Sequence, residues 1–377
     1  MRHIALVIPG LDRMGGAEQQ LLLLAHGLRR RGWRVSVVAL SGLGGAAGAE
    51  LIADGIGLVT LRMRKGLADP RGWFKFYRWL GREQPAVVHA HLPHAAWLAR
   101  WSRLFAPMRA LVDTLHTSST GTLGRKLGYR WSSWLPDQVT AVSHSVAQPH
   151  LAASMVRMEN VVVLPNGVDV DQWRPDAEVR ADIRKGHDLG DEFLWFAAGR
   201  LEPVKDYPML LQAMANLPSG ARLVIAGGGR LESELRRVCS DLGLESYVRF
   251  LGFTADVRGW MQAADGFVLS SRLEGLPMSL LEAGACALPI VATNVPGTRE
   301  AVLDGQTGWL VEAGSALALG EAMARLIETP LEERRAMGKR ARQFVLDRFS
   351  LEAVLDQWEA LYDELLARNP RPRRWRA

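Results

Sequence analysis

Cysteine is scarce: Cys239 and Cys286 are the two in 377 residues, too few for a disulfide framework, and Cys286 lies in an apolar helical run that reads as core. No apolar stretch is long enough to span a membrane. Ile4-Ala-Leu-Val-Ile8 is apolar but is ended at strand length by Pro9-Gly10, too short for the apolar part of a signal peptide. A cytoplasmic chain is expected. Also missing is the dinucleotide fingerprint Gly-x-Gly-x-x-Gly. Ala39-Leu40-Ser41 stands where its acidic partner would follow the second strand, and these two gaps exclude a nicotinamide enzyme.

The length favours two domains over one core, and 48% hydrophobic with 23% charged residues is ordinary for a globular protein. Charge is unevenly placed. Residues 1–165 carry 20 Lys+Arg against 9 Asp+Glu, a net +11, whereas residues 166–377 carry 26 against 31, a net −5. The two halves should meet different partners.

Apolar strands alternate with helical segments along both halves. Ile4–Ile8, Val35–Leu40, Val87–Ala90, Ala110–Thr114, Gln138–Ala141 and Val161–Leu164 form a first series. Phe193–Ala198, Leu223–Ala226, Val248–Phe250, Gly266–Ser270, Ile290–Ala292 and Gly308–Val311 form a second. Such alternation implies parallel sheets covered on both faces. Pro165-Asn-Gly-Val-Asp169 and the polar stretch 176–191 mark a linker. The expected divisions are 1–170, 171–350, and a final helix with a basic tail over 351–377. Leu351–Ala367 is amphipathic, and the tail from Asn369, with two prolines and four arginines, reads as disordered.

In open sheets of this kind ligands collect beyond the carboxyl ends of the strands, and the chemically suggestive motifs fall there. Ser270-Ser-Arg-Leu-Glu-Gly-Leu-Pro-Met-Ser-Leu-Leu-Glu282 holds two carboxylates eight positions apart. Glu274 is expected on a strand-to-helix loop and Glu282 one turn into a helix that starts on Pro277, with free N–H groups at Met278, Ser279 and Leu280 between them. Backbone donors at a helix start suit phosphate, and flanking carboxylates suit sugar hydroxyls. A solvated helix turn is the plain alternative. Gly15-Gly-Ala-Glu18 opens the first helix, and Gly15 and Gly16 leave room for a phosphate. Gly199-Arg-Leu-Glu-Pro-Val-Lys-Asp206 puts Arg200 and Lys205 where they would stabilise charge on a departing diphosphate, unless they are surface cations. His116 ends Asp113-Thr-Leu-His116. His89 and His91 in Val88-His-Ala-His91 share a strand face but lack the further ligands of a metal site.

The Glu-x7-Glu spacing, Gly15-Gly-Ala-Glu18 and the Arg200/Lys205 segment together resemble family 4 of the retaining glycosyltransferases. The resemblance covers about residues 4–365 and is densest from 193 to 312. It implies a GT-B fold, α/β with two doubly wound Rossmann-like domains facing a cleft, the first binding an acceptor and the second a nucleotide-sugar. It implies that His116 lies beside the transferred sugar, that Arg200 and Lys205 hold the diphosphate, and that Glu274 and Glu282 flank the donor. Sugar transfer from a nucleotide-diphosphate donor, by frequency a UDP-sugar, to a glycan or lipid-linked hydroxyl is the expected activity. No metal or other cofactor and no nucleic-acid partner are expected, because the two cations and the helix start supply the positive field. Leu223-Val-Ile-Ala-Gly-Gly-Gly-Arg230 resembles the family's base-binding edge or forms tight turns alone. Pro277-Met278 and Asp206 depart from the family pattern. A sugar-nucleotide epimerase of the same fold and a non-catalytic carbohydrate-binding protein remain the alternatives. Aromatics interleave with cations at Arg62–Lys65, Arg71–Trp79, Trp97–Arg109 and Arg125–Trp134, which suggests peripheral contact with an anionic membrane on its cytoplasmic face.

Overall fold

Aliphatic runs bounded by glycine, proline or polar turns become strands buried on both faces. A computed structural model describes residues 2–369 apart from 13, 65–68, 107, 219 and 255. The chain forms two compact units, one from residues up to Gly167 together with the chain from Leu351 on, the other Val168–Ser350.

In the first unit the strands are β1 (His3–Ile8), β2 (Arg34–Ala39), β3 (Gly57–Thr60), β4 (Val87–His91), β5 (Ala110–Leu115), β6 (Gln138–Ala141) and β7 (Val161–Val163). Its helices are α1 (Gly16–Arg30), α2 (Gly45–Ala53), α3 (Pro70–Glu83), α4 (Pro93–Ser102), α5 (Leu123–Trp131) and α6 (His144–Ala152). The sheet is parallel in the order β3-β2-β1-β4-β5-β6-β7, with Leu6 of β1 lying between Val37 of β2 and His89 of β4. Chain direction across the sheet reverses between β1 and β4. Right-handed crossovers then put α1 and α2 on one face and α3 to α6 on the other.

The second unit contains β8 (Phe193–Ala198), β9 (Ala221–Ala226), β10 (Val248–Gly252), β11 (Gly266–Leu269), β12 (Ile290–Thr293) and β13 (Gly308–Val311). Its helices are α7 (Ala177–Gly186), α8 (Tyr207–Met214), α9 (Glu232–Asp241), α10 (Val257–Ala263), α11 (Met278–Ala285), α12 (Pro296–Ala301), α13 (Ala316–Glu328) and α14 (Leu331–Phe349). Strand order is β10-β9-β8-β11-β12-β13, all parallel, so the reversal falls between β8 and β11. Its core gathers Trp195, Leu210, Leu223, Val268, Val291 and Met323 around the sheet.

Two features differ from the sequence expectations. Edge strand β3 was not foreseen, because Gly57-Leu-Val-Thr60 is short and only half buried. Most of the supposed linker 176–191 is helix α7, capped by Asp176, whose carboxylate accepts the N–H groups of Glu178 and Val179 at 3.1 Å. Its side chains supply no fully buried residue, so no apolar stripe announces it. Polar anchors hold it instead, with Arg180 and Arg184 reaching Asp265 at 2.6 and 3.1 Å. Helix α15 (Leu351–Arg368), which the family resemblance implies crosses back to the first domain, is part of the first unit, where Leu351, Val354, Leu355, Trp358, Leu361, Tyr362 and Leu365 face inward at helical spacing. It packs on α1 closely enough that a Cβ at Gly27 would lie 2.5 Å from Leu355. The expected tail beyond Asn369 lies outside the described residues.

Candidate functional site

The reversal between β8 and β11 brings the loops after these two strands together. The β8 loop runs from Gly199 through a 3-10 turn, Pro203–Lys205. Ser270 Oγ donates to the Lys205 carbonyl at 2.8 Å, and the Arg272 N–H donates to that of Val204 at 2.8 Å. Lys205 Nζ then meets Glu274 Oε1 at 2.5 Å, and Ser271 Oγ donates to the same oxygen at 2.6 Å. Sequence reading treated Lys205 as a free cation and Glu274 as a free acceptor. The fold makes them an ion pair, both largely shielded from water. Arg200, on the same β8 loop, is exposed and has no carboxylate partner among the described residues.

Asp206 shows why glycine suits that position. Its backbone is left-handed, φ 50°, a conformation that L residues other than Asn and Asp seldom adopt. Its carboxylate accepts from Arg272 Nε at 2.7 Å, which fixes the strained residue in place. Two glycines serve close backbone approach. A Cβ at Gly227 would fall 2.0 Å from the Gly199 carbonyl oxygen, and one at Gly297 would fall 2.4 Å from that of Gly275. The Ala226-Gly-Gly-Gly run is therefore accounted for by packing of strand-end loops.

Pro277 precedes the first turn of α11, as its missing N–H allows. Of the three amides expected to be free there, that of Leu280 is engaged, donating to the Pro277 carbonyl at 3.1 Å, and Leu280 itself is fully buried. The Ser279 N–H has no backbone partner among the described residues. Glu282 follows in the second turn, half-buried and with no side-chain partner among the described residues. Burial pushes its pKa up to about 7. The two glutamates thus occupy different electrostatic situations, one fixed beside a cation and one balanced between its charged and neutral forms.

The first unit holds histidines instead. His89 and His91 alternate onto one face of β4, their ring centroids 4.1 Å apart. His89 is fully buried, with Nδ1 2.8 Å from the Tyr362 hydroxyl and Nε2 2.6 Å from Thr114 Oγ1. His91 Nδ1 lies 3.0 Å from Nε2 of His116, which follows β5. Burial pulls the pKa of His116 down to about 4 and those of His89 and His91 well below the usual histidine range. The cluster is therefore neutral at pH 7. His91 and His116 line a pocket whose walls include Gln20, Thr114, Asn166 and Trp358, and His91 Nε2 has no partner there among the described residues. Sequence reading missed Tyr362 and Thr114 as partners of this cluster, since neither spacing nor residue type links them to it.

At the start of α1, Gly15 and Gly16 are exposed, and a Cβ at Gly16 would meet nothing within 4 Å. The Gly15 N–H is already spent on Glu18 Oε2 at 3.1 Å, which leaves fewer donors for a phosphate than the sequence suggested. No group of three or more His, Cys, Asp or Glu side chains is arranged to hold a metal among the described residues. An Asp-x-Asp that the sequence reading passed over, Asp169-Val-Asp171, is a turn: the Asp169 carboxylate accepts the N–H groups of Asp171 and Gln172 at 3.1 Å.

Comparison with known proteins places both units. The model of Glycosyltransferase Family 4 matches residues 14–172, and that of Glycosyl transferases group 1 matches 179–344. A GDP-mannose-dependent alpha-(1-6)-phosphatidylinositol monomannoside mannosyltransferase of Mycolicibacterium smegmatis is 37% identical over 49% of this chain and 51% of its own length. The chain thus matches about half the length of this relative. A UDP-Gal:alpha-D-GlcNAc-diphosphoundecaprenol alpha-1,3-galactosyltransferase of Escherichia coli is 26% identical over 80% of this chain and 81% of its own. Among solved structures, Anabaena HepE in complex with UDP and glucose superposes with a TM-score of 0.85, at 22% identity, over 96% of this chain and 99% of that one. The fold is therefore GT-B.

Proposed function

The chain belongs to the family 4, group 1 glycosyl transferases, and from that membership we propose that it moves a sugar from a nucleoside-diphosphate donor to an acceptor hydroxyl with retention of configuration. UDP is the preferred nucleotide, and GDP is its competitor, because the two relatives above are named for one donor each. Both are also named for lipid-linked acceptors, which supports a lipid-linked glycan met at the cytoplasmic face of a membrane.

The observation that supports the reading most is the ionic assembly beyond β8 and β11. Arg200 has no counter-ion among the described residues and lies on the loop that also carries Lys205, the partner of Glu274. In the proposed reaction the bond from the anomeric carbon to the diphosphate oxygen breaks, and one from that carbon to the acceptor oxygen forms. The acceptor's proton passes to the leaving phosphate. Negative charge grows on the diphosphate as the first bond lengthens, and cations fixed nearby lower that barrier. Lys205 contributes once Glu274 turns its hydrogen bonding to the sugar. Glu282 accepts from both ribose hydroxyls, and neutral His116 sits beside the sugar as a hydrogen-bonding group that adds no charge. No divalent ion enters this scheme.

The test is incubation with UDP-sugars and GDP-sugars plus bacterial lipid extract, followed by detection of free nucleoside diphosphate and NMR of the first product. Acceptor-dependent release that withstands EDTA, with a retained anomer, is expected. Interconversion of sugar nucleotides without release identifies an epimerase. Binding without either reaction identifies a carbohydrate-binding protein.

A further inference from the structure

The four basic aromatic stretches of the first unit divide when seen in three dimensions. In Trp97–Arg109 the arginines are engaged within the unit, with Arg109 donating to the Leu366 and Asn369 carbonyls at 3.2 Å. Arg100 is fully buried against Asp113 at 2.5 Å, and Arg103 forms a two-armed bridge to Asp137 at 2.6 and 2.8 Å. Lys65 lies outside the described residues. Helices α3 and α5 are different. Along α5, Leu123 and Trp131 are each 71% exposed, Leu127 between them is 42% exposed, and Trp134 just beyond the helix is 55% exposed. The first three recur at i, i+4 and i+8 and so form one outward stripe. On α3, Phe74 is 60% exposed and Tyr77 is 46% exposed.

Cations accompany both stripes. Arg71, Lys75 and Arg78 of α3, and Arg125, Lys126 and Arg130 of α5, have no carboxylate within ion-pair distance among the described residues. Residues 70–134 contain ten Lys+Arg and only Glu83 and Asp113 as acids. Both helices lie on the same side of the sheet, since each belongs to a crossover running from β3 towards β6. Between them lies α4, which touches α3 and is bound to α5: Arg100 sits 4.4 Å over the Tyr129 ring, and a Cβ at Gly128 would strike Trp97. The opposite face is neutralised. There Arg31 is met by Glu352, Asp356 and Glu359 of α15 at 2.5 to 2.7 Å.

We propose that the outer face of α3 and α5 is a docking surface for an anionic lipid bilayer, with Leu123, Leu127, Trp131, Trp134, Phe74 and Tyr77 entering the headgroup region and the six cations that lack a carboxylate partner among the described residues pairing with lipid phosphates. Charge complementarity selects this occupant. Side chains that are apolar and exposed, ringed by unpaired cations, match an interface that is apolar below and negative above. A nucleic acid would use the cations but give exposed leucines nothing to bury against. The assignment rests on the proposed lipid-linked acceptor.

The experiment is co-sedimentation of the full chain with phosphatidylcholine vesicles, with and without a third of phosphatidylglycerol, at low and high salt. Two variants are compared with the wild type, Leu127→Asn/Trp131→Asn and Lys126→Gln/Arg130→Gln, and their folding is checked by thermal melting. Binding of the wild type should require phosphatidylglycerol and weaken with salt. Each variant should lose at least about ten-fold in partitioning while melting as the wild type does, since Leu127, Arg130 and Trp131 are exposed and Lys126 is half-buried with no carboxylate partner among the described residues. If the folded variants bind as the wild type does, this surface is wrong and the membrane reading stands. If the wild type binds neither vesicle yet releases nucleoside diphosphate with a water-soluble acceptor, both the surface and the lipid-linked acceptor are wrong while sugar transfer stands. A change of sedimentation coefficient in the Leu127→Asn/Trp131→Asn variant without vesicles reassigns the face to contact between copies of the chain and overturns the proposal.

Discussion

The two units wind their first six strands in the same order, yet they furnish the corresponding place with opposite chemistry. Where the second unit reverses direction, the strand-end loops are ionic, with Lys205 on Glu274, Arg272 on Asp206, and Arg200 without a counter-ion among the described residues. Where the first unit reverses, β4 and the end of β5 present imidazoles held neutral by burial. The sheet order fixes where a ligand can sit, and the loops decide what it can be. On the proposed reading the contrast is functional. A nucleoside diphosphate brings charge and meets ions, whereas a sugar hydroxyl brings none and meets neutral rings.

The first unit keeps a fully buried ion pair, and breaking it is the severest test of the contrast. Arg100 and Asp113 are both buried, and Arg100 also reaches Ser132 at 2.9 Å. Arg100→Leu leaves the Asp113 carboxylate buried without its cation and should cost about 3–5 kcal/mol of stability in urea unfolding. Adding Asp113→Leu should recover most of that loss. A single variant that loses about 1 kcal/mol or less would show that water reaches the pair and that the first unit is not as dry as the structure indicates.

In the second unit the ions should act on the chemical step. Arg200→Ala and Lys205→Ala are each expected to lower kcat by about 10²–10³, with KM changing far less, because diphosphate charge is greatest in the transition state. Lys205→Ala carries a further effect, since it strands Glu274. Restored activity in Lys205→Ala/Glu274→Gln relative to the single variant would show that unpaired charge, and not a lost phosphate contact, caused part of the defect. A rise in KM alone would mean that both cations bind the ground state equally well.

Much of this arrangement was legible beforehand. Apolar runs such as Phe193–Ala198 and Ala110–Leu115 announce central parallel strands, and the glycines and prolines behind them mark the strand-end loops. Helix α7 was hidden because it is held by Arg180 and Arg184 on Asp265 and has no apolar stripe, and periodicity cannot see a polar anchor. At the candidate site, residue types single out candidates, but pairing depends on tertiary distance. Sixty-nine positions separate Lys205 from Glu274, and 273 separate His89 from Tyr362. The partners that distinguish Glu274 from Glu282 among the described residues have no sequence signal either.

Glu282 offers a subtler probe. On the proposed reading both ribose hydroxyls donate to Glu282, which accepts both best when ionised, so a nucleotide should bind better as pH rises through about 7. Glu282→Ala should weaken UDP or GDP by about 1–3 kcal/mol at pH 8. Titration calorimetry should show the pH dependence in the wild type and its loss in Glu282→Gln. Unchanged affinity in a folded variant would remove Glu282 from the donor site.

The smallest effect is also the one that separates the units most cleanly, because their buried groups link stability to pH with opposite signs. His116 falls from 6.5 in the unfolded chain to about 4 in the folded one, and His89 and His91 are also lowered. Between those values the unfolded chain binds more protons, so stability is present above pH 6.5 and is lost as pH falls towards 4. Glu282 rises from 4.5 to about 7, so here the folded chain binds more protons, and stability present below pH 4.5 is lost as pH climbs through 7. Melting temperatures of wild type, His116→Asn and Glu282→Gln should therefore diverge at opposite ends of the range. The histidine variant should flatten the acid limb, and the glutamine variant should gain on the wild type towards neutral pH. Parallel curves for all three proteins would mean that these side chains reach water in the folded state, and the distinction between ionic loops and dry imidazoles would have to be drawn elsewhere.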